Sequence, residues 1–429
     1  MKCDELLIYA FQNQFNIMTT WAEYCNRFLF FFILSIGLFS IINCNISNGH
    51  YDSENSLFLE IAEKVKNKKV IAIGESSHGV GDFFKIKSEL VQYLHEHHNF
   101  EILAFESGLG DLNMAWSHID SLSEMELLDK TLFWNFKCEE IVGLFSYIKS
   151  ESNSQYPLIY TGFDNQMSSS YFINSVQTTI SQFDKEMAQE LEERLKAYIR
   201  WFRAGNNEDE ELYKSEAESF VETAMRIQSI FSSNANVIKE NHGWTDFQIE
   251  VVERTCKGFI RTVDVPYEER HLSSQHRDGI MFDNFKWLMN EVYPDKKIII
   301  WAHNGHIERN TFYEYGYKWM GHHLAEYLAE DYYALGIFAR SGKTYRQWGD
   351  TTIVFDNDTL GMIESLVDIG EWNSSFVDFK STDIPWASDT LSAFEVENGG
   401  VVKFVPSRRF DGVLVLNEVT SPTFLNLGD

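Results

Sequence analysis

The sequence predicts an α/β fold in which a mostly parallel central sheet is flanked by helices, with an inserted all-helical subdomain. Three observations predict this class. Short apolar runs stop abruptly in polar turns, which is typical of strands buried on both faces of a parallel sheet. Helical patterns separate the early runs at the spacing of βαβ units. A long internal stretch, residues 172–269, carries helical patterns alone.

The predicted strands are apolar runs rich in β-branched and aromatic residues, which suit a pleated and buried surface. Helical periodicity follows the first strand between Gly81 and Glu96, and a helix over 277–291 precedes the fourth strand. A further helix near 56–66 leads into the first strand. In chain order, the strands are predicted at about 70–73, 101–105, 157–162, 297–302, 332–339 and 413–416.

The all-helical stretch has clear amphipathic patterns. Apolar residues from Met187 to Phe202 recur at helical intervals, with charged residues on the opposite face. Further helices are predicted at 221–231 and 247–260. We interpret residues 172–269 as a helical insertion, which either lines the substrate cleft or acts as a structural buttress.

The first 44 residues differ in character from the rest of the chain. Residues 28–42 form an unbroken apolar stretch between Arg27 and Asn43. This stretch is short for a membrane span, which needs about 20 residues, and has the length of a signal-peptide core. Cys44 resembles the lipidated cysteine of a bacterial lipoprotein. We therefore predict a leader over 1–44 and an exported, membrane-anchored lipoprotein of the cell envelope, with an uncleaved membrane anchor as the alternative.

Composition restricts the possible partners. The net charge of −28 argues against nucleic acid, because binding to phosphates requires a basic surface. An apolar fraction of 44% supports a sizeable core. Only Cys138 and Cys256 lie in the body of the chain, and neither has the spacing of a metal-ligand or redox motif. A small, neutral or cationic substrate fits this composition best.

Ionisable residues follow four of the predicted strands at the points where those strands end. Ligands bind at the carboxyl ends of the strands in open α/β sheets. Segments more than two hundred residues apart are therefore expected to meet at one site. The residues in these positions are Glu75, His78, Glu106, Asp164, His303 and His306.

These residue types suit hydrolysis by an activated water. His78 is the expected general base, because the pKa of histidine is near neutral and a carboxylate can fix its tautomer. Glu75 or Glu106 would supply that carboxylate. His303 and His306 are expected on the opposite wall, where they would orient the substrate, protonate the leaving group or stabilise an oxyanion.

Other chemistries remain open at the same positions. The two carboxylates and three histidines could instead bind zinc, although the chain has no His-Glu-x-x-His spacing. Ser76 or Ser77 could act as a nucleophile, but His78 stands where a Gly-x-Ser-x-Gly elbow requires its last glycine. A non-catalytic binding protein of the cell surface is the alternative outside the enzymes.

Six segments between about residues 70 and 340 resemble the erythromycin esterase family in their order and spacing. They are GESSHGVGDFFKIKSELVQYL, FESG, TGFD, RDGIMFDN, WAHNGH and MGHHL. For residues 45–429 the resemblance implies a hydrolase that opens a macrolactone-type ester with an activated water and requires neither a metal nor a cofactor. It also implies that the family's active-site positions are Glu75, His78, Glu106, His303 and His306.

The resemblance further suggests residues that bind the substrate. The family usually carries an arginine nine residues after the catalytic histidine, where this chain has Lys87, which keeps the charge but loses the planar donor geometry. Asp164 and Arg277 are also expected at the substrate. Asp164 could alternatively orient a histidine, and Arg277 could pair with Asp278. Macrolide hydrolysis is not general in the family, so the resemblance implies a reaction class and leaves the substrate open.

Overall fold

The computed structural model describes residues 56–310, 317–346, 351–369, 373–380, 383–395 and 400–427. The leader predicted for residues 1–44 lies outside these ranges, and lipidation at Cys44 therefore stays a prediction. The chain divides into two compact units, Met1–Leu59 and Glu60–Asp429, and the second contains every strand described below. None of the helices in the described ranges has both the length and the apolar character that a membrane span requires.

The described strands form one large mixed sheet and one small hairpin. The strands are β1 (Val70–Ile73), β2 (Phe100–Gly108), β3 (Ile159–Asp164), β4 (Lys297–Trp301), β5 (Tyr332–Arg346), β6 (Thr351–Asp356), β7 (Ser374–Asp378), β8 (Leu391–Glu395), β9 (Gly400–Phe404) and β10 (Gly412–Val419). The large sheet has the order β3-β2-β4-β1-β5-β10-β7, with β6 paired to β5, and β8 pairs with β9.

The large sheet is parallel from β3 through β10. The strands β1, β2, β3, β4, β5 and β10 pair in parallel, whereas β7 pairs antiparallel with β10 and β6 pairs antiparallel with β5. The predicted, mostly parallel sheet is therefore confirmed. The antiparallel strands β6 and β7 and the β8–β9 hairpin were not predicted.

Strand register determines where the candidate site lies. Ile73 in β1 pairs with Trp301 in β4, and Trp301 also pairs with Phe105 in β2. These neighbouring strands run in parallel, so they end at the same edge of the sheet. The turns that follow them, together with Glu106 near the end of β2, therefore leave the sheet side by side.

Helices cover the sheet, as predicted. The described helices are α1 (56–65), α2 (Gly81–His98), α3 (Leu109–Trp116), α4 (Glu124–Thr131), α5 (Glu139–Glu151), α6 (Tyr171–Ile180), α7 (Lys185–Leu195), α8 (Ala197–Asn206), α9 (Glu210–Ser233), α10 (Ala235–His242), α11 (Asp246–Val263), α12 (Ser273–Trp287), α13 (Asn304–Ile307), α14 (Met320–Leu328), α15 (Ile363–Leu366) and α16 (Pro406–Arg409). Of these, α12 packs against β3 and α14.

The stretch from α6 to α11 consists of successive helices, and the sequence explains their starting points. Asp184, Asp209 and Thr245 each accept a hydrogen bond from a backbone N–H in the first turn of the helix that follows. Such caps satisfy N–H groups that have no partner within the helix. Within this stretch α11 packs on α9, and it also packs on α3 and α12 outside the stretch. The helices thereby reach the elements that carry the candidate site.

Candidate active site

The turns after β1 and β4 bring the early and late histidines together. The ring centroids of His78 and His303 are 5.1 Å apart. Asn304 joins the two turns, because its backbone N–H donates to the carbonyl oxygen of Glu75 at 2.9 Å. A Cβ atom at Gly74 would lie 2.0 Å from Oδ1 of Asn304, so only glycine permits this approach. The spatial convergence expected from the sequence is therefore present.

Glu75 orients His78. Nδ1 of His78 lies 3.0 Å from Oε1 of Glu75. An ionised carboxylate can only accept hydrogen bonds, so the proton of the neutral ring is on Nδ1 and the lone pair is on Nε2. Glu75 is fully buried, whereas the side chain of His78 is 24% exposed. The imidazole therefore lies between a buried carboxylate and solvent.

Lys87 lies beneath Glu75. Its ammonium pairs with Oε2 of Glu75 and lies 4.3 Å from the ring centroid of Trp301. Burial lowers the pKa of Lys87 to about 8, although Glu75 opposes this shift. The predicted contact between Lys87 and the substrate is not supported, because the side chain of Lys87 is fully buried. We therefore expect Lys87 to act on His78 through Glu75, with which it pairs.

Replacing Lys87 with arginine is expected to change the alkaline limb of the pH–activity profile. In the wild type, activity should fall as pH rises through about 8, because Lys87 loses its proton and Glu75 loses its counter-charge. Arginine remains protonated, so the Lys87→Arg variant should stay active to higher pH. The measurement is kcat/KM across neutral and alkaline pH.

The Lys87→Met variant is the control, since it removes the charge at every pH and should show low activity without a transition near 8. The same alkaline limb in the wild type and in Lys87→Arg would contradict the assigned role of Lys87.

His306 lies between two carboxylates. Its Nδ1 is 2.7 Å from Oδ1 of Asp278, and its Nε2 is 3.0 Å from Oε1 of Glu106. Burial alone would lower the pKa of His306, but the charges and hydrogen bonds of Asp278 and Glu106 raise it to about 10. At neutral pH His306 is therefore an imidazolium that donates from both ring nitrogens.

Glu106 forms hydrogen bonds with residues of the turn after β4. Besides His306, it accepts hydrogen bonds from the backbone N–H of His303 at 2.9 Å and from Arg277 at 3.1 Å. Burial would raise the pKa of Glu106, but the charges of His306, His78 and Arg277 hold it well below its usual range. Of the two carboxylates considered as partners of His78, the hydrogen-bonded one is Glu75.

His303 has a defined tautomer. Its Nδ1 accepts a hydrogen bond from the backbone N–H of Gly305 at 3.1 Å, so the proton of the neutral ring is on Nε2. The residue is only 4% exposed. His303 therefore places an N–H donor beside His78, and the roles expected for it toward the substrate stay predictions.

Arg277 closes the site from α12. Its guanidinium pairs with both carboxylate oxygens of Asp164 and also donates to Glu106. The side chain of Arg277 is 19% exposed, whereas that of Asp164 is completely buried. Arg277 is thus partly accessible, and its contact with a substrate stays a prediction. Asp164 is buried and holds Arg277 in place, which argues against the predicted contact between Asp164 and the substrate.

The carboxylate that orients a late histidine is Asp278, which the sequence analysis considered only as a partner of Arg277. Oδ1 of Asp278 also accepts a hydrogen bond from the backbone N–H of Met320 at 2.8 Å. The same carboxylate therefore caps α14 and holds His306. The available signal was the RDG segment at the start of a predicted helix, but the sequence does not reveal its distant partners.

The structure gives little support to the two alternative chemistries. Ser76 and Ser77 are buried, and the Ser77 hydroxyl bonds Thr344 at 2.7 Å and accepts from the backbone N–H of Gly79. Ser77 therefore stabilises the turn. Among the described residues, no group of three or more His, Cys, Asp or Glu side chains has the geometry to hold a metal ion. The carboxylates proposed as ligands are paired with Lys87, His306 and Arg277.

Together these features place histidines and carboxylates at the carboxyl ends of parallel strands in an α/β fold, an arrangement that suits a hydrolase. The chain belongs to the erythromycin esterase family, whose model, described as erythromycin esterase, matches residues 95–419. This confirms the resemblance found in the sequence. The protein is accordingly a hydrolase of this family.

Individual relatives are distant but cover most of the chain. YbfO of Bacillus subtilis (strain 168) is 27% identical over 392 residues, which cover 84% of this chain and 86% of YbfO. Erythromycin esterase type II of Escherichia coli is 21% identical over 401 residues, covering 86% of this chain and 94% of that protein.

Solved structures share the fold. A protein from Bacillus cereus superimposes with a TM-score of 0.66 at 18% identity, covering 86% of this chain and 92% of that one. A mutant of the erythromycin esterase EreC in its open conformation gives a TM-score of 0.56 at 16% identity, covering 87% and 95%. At these identities the likeness establishes the architecture, and the substrate must be argued separately.

Proposed function

We propose that the protein hydrolyses a carboxylic ester, of the macrolactone type or of comparable bulk, by attack of a water molecule that His78 activates. The contrast between two histidines carries this proposal. His78 bonds one carboxylate whose charge Lys87 offsets, whereas His306 bonds two carboxylates. The contrast assigns the base to His78 and a fixed positive charge to His306, and such unlike surroundings of two titratable groups are a common basis for assigning catalytic roles.

The proposed reaction proceeds in two proton transfers. Nε2 of His78 accepts a proton from water as the oxygen attacks the ester carbonyl, and Glu75 stabilises the resulting imidazolium. The positive charges of His306 and Arg277 stabilise the oxyanion that develops on the carbonyl oxygen. The tetrahedral intermediate then collapses, and His78 returns its proton to the departing alkoxide. The products are a carboxylic acid and an alcohol, and the base is regenerated.

The decisive experiment incubates the purified protein with 4-nitrophenyl acetate and with a panel of macrolides, followed by mass spectrometry in ¹⁸O-labelled water. Hydrolysis is expected for the aryl ester and for at least one bulky ester, with one labelled oxygen in the acid. Activity should survive dialysis against EDTA, because the candidate ligands are engaged with one another and with Lys87 and Arg277.

Two outcomes would favour the alternatives. Loss of activity on chelation, with recovery on addition of zinc, would point to a metal-dependent hydrolase on the same residues. Absence of hydrolysis across the whole panel would contradict the proposed reaction and favour a binding protein of the cell surface.

A further inference from the structure

A groove lies at the junction of α8 with the start of α9 and the start of α12. Its volume is about 310 Å³. The ring of Phe202 is 43% exposed in it. The other side chains that matter to its chemistry are Trp201, Tyr213, Glu208, Arg270 and Ser273. None of them belongs to the site described above.

Two helices, α12 and α8, connect this groove to the surroundings of Arg277. Ser273 and Arg277 are four residues apart on α12, and Tyr198 and Phe202 are four residues apart on α8. Residues at this spacing share a helix face, about 5.4 Å apart along the axis. Ser273 in the groove therefore lies one helical turn from Arg277, and Phe202 in the groove lies one turn from Tyr198.

A chain of hydrogen bonds connects Tyr198 to Arg277. The side-chain amide of Gln166 donates to the hydroxyl of Tyr198 at 2.8 Å, and the backbone N–H of Gln166 donates to Asp164 at 3.0 Å. Asp164 in turn holds Arg277. Burial raises the pKa of Tyr198 to about 12, with smaller effects from the charges of Arg277 and Asp164. Tyr198 therefore lies between Arg277 and the part of α8 that carries Phe202.

The walls of the groove are aromatic. Tyr198 stacks on Trp201 at 5.7 Å between ring centroids, and Trp201 lies 5.3 Å from Tyr213. These contacts pack α8 against α9 behind Phe202, which is the exposed ring. An exposed aromatic ring offers a flat apolar face to a ligand.

The rim of the groove is polar but electrically balanced. Arg270 pairs with Glu208 at 3.4 Å and donates to the carbonyl oxygens of Gly205 and Tyr267, both at 3.1 Å. Burying these groups under a fatty acyl chain would remove their water without replacing its hydrogen bonds. An anionic ligand would find the arginine already neutralised. The lining therefore suits a neutral ring with one apolar face and hydroxyl groups around its edge.

We propose that this groove is a substrate subsite that binds a neutral sugar ring attached to the ester that the protein hydrolyses. The sugar stacks on Phe202, and its hydroxyl groups replace water at the Arg270–Glu208 pair. Binding there positions the scissile ester beside Arg277, one helical turn away. The subsite rests on the proposed function only in that the sugar is part of the substrate.

The test measures binding without turnover. The full-length protein is titrated calorimetrically with neutral gluco-, manno-, galacto- and N-acetylglucosamine tri- and tetrasaccharides. At least one should bind saturably, and Phe202→Ala should weaken that binding about tenfold, the value of one good aromatic contact. Met225→Ala is the matched control, because Met225 is 56% exposed on α9 and is absent from the groove lining. Its affinity should equal that of the wild type.

The outcomes separate this subsite from the catalytic proposal. Hydrolysis of simple aryl esters without saturable binding of any saccharide would overturn the subsite and leave the reaction intact. Equal affinities of Phe202→Ala and Met225→Ala would also overturn it. Binding that depends on Phe202 in a protein that hydrolyses no ester would support the groove and contradict the proposed function.

Discussion

The His78→Asn variant is expected to lose ester hydrolysis, with kcat reduced by about 10²–10⁴-fold, the usual contribution of a general base. The asparagine amide can still donate to Glu75, so the turn after β1 should keep its structure. It provides no lone pair at the position of Nε2 and cannot accept the proton from water. The measurement is kcat with 4-nitrophenyl acetate, together with the melting temperature of the variant.

A matched substitution separates loss of the base from loss of a histidine. His97 lies on α2, where its side chain is 54% exposed and pairs with its neighbour Glu96. His97→Asn should therefore retain the kcat of the wild type. An active His78→Asn variant would contradict the assignment of the base, and so would an equal loss of activity in both variants.

The central strands could be predicted because burial on both faces produces a simple sequence pattern. The place where the turns after these strands meet could be predicted for the same reason. β1 and β4 are buried on both faces, so each appears as an uninterrupted apolar run. The parallel register then places the following polar turns together without further information. Such a pattern requires only local sequence and a general rule of α/β sheets.

The antiparallel strands β6 and β7 were harder to predict, because they lack this pattern. β6 alternates between exposed and half-buried residues, and β7 contains two serines. Neither gives the continuous apolar signal of a central strand. Their positions depend on pairing with β5 and β10, and local sequence does not encode that choice of partner.

Most of the pairings between side chains in the site could not be predicted from the sequence. That Asp278 serves His306 and Asp164 serves Arg277 depends on how α12 packs, which spacing along the chain does not encode. Burial of Lys87 could have been inferred. It lies four residues after Phe83 and four before Val91, on the apolar face of α2. A lysine on that face requires an anionic partner.

The dependence of Lys87 on this partner leads to the second large effect. Glu75→Gln is expected to lower the free energy of unfolding by about 3–5 kcal/mol, because removing one member of a buried ion pair leaves the other charge uncompensated. Activity should also be lost, since the neutral amide no longer favours the imidazolium form of His78. Urea denaturation at neutral pH measures the stability, and 4-nitrophenyl acetate measures the activity.

The double variant Glu75→Gln, Lys87→Met distinguishes the unpaired charge from any other consequence of losing Glu75. Methionine fills much of the volume of Lys87 beside Trp301 without a charge, and replacing both members of a buried pair is often nearly neutral. The double variant should therefore recover most of the stability lost by Glu75→Gln, while remaining inactive because His78 still lacks its carboxylate. If the double variant were as unstable as the single one, the ion pair would not be the source of the effect. If it regained activity, Glu75 would not be the group that supports the base.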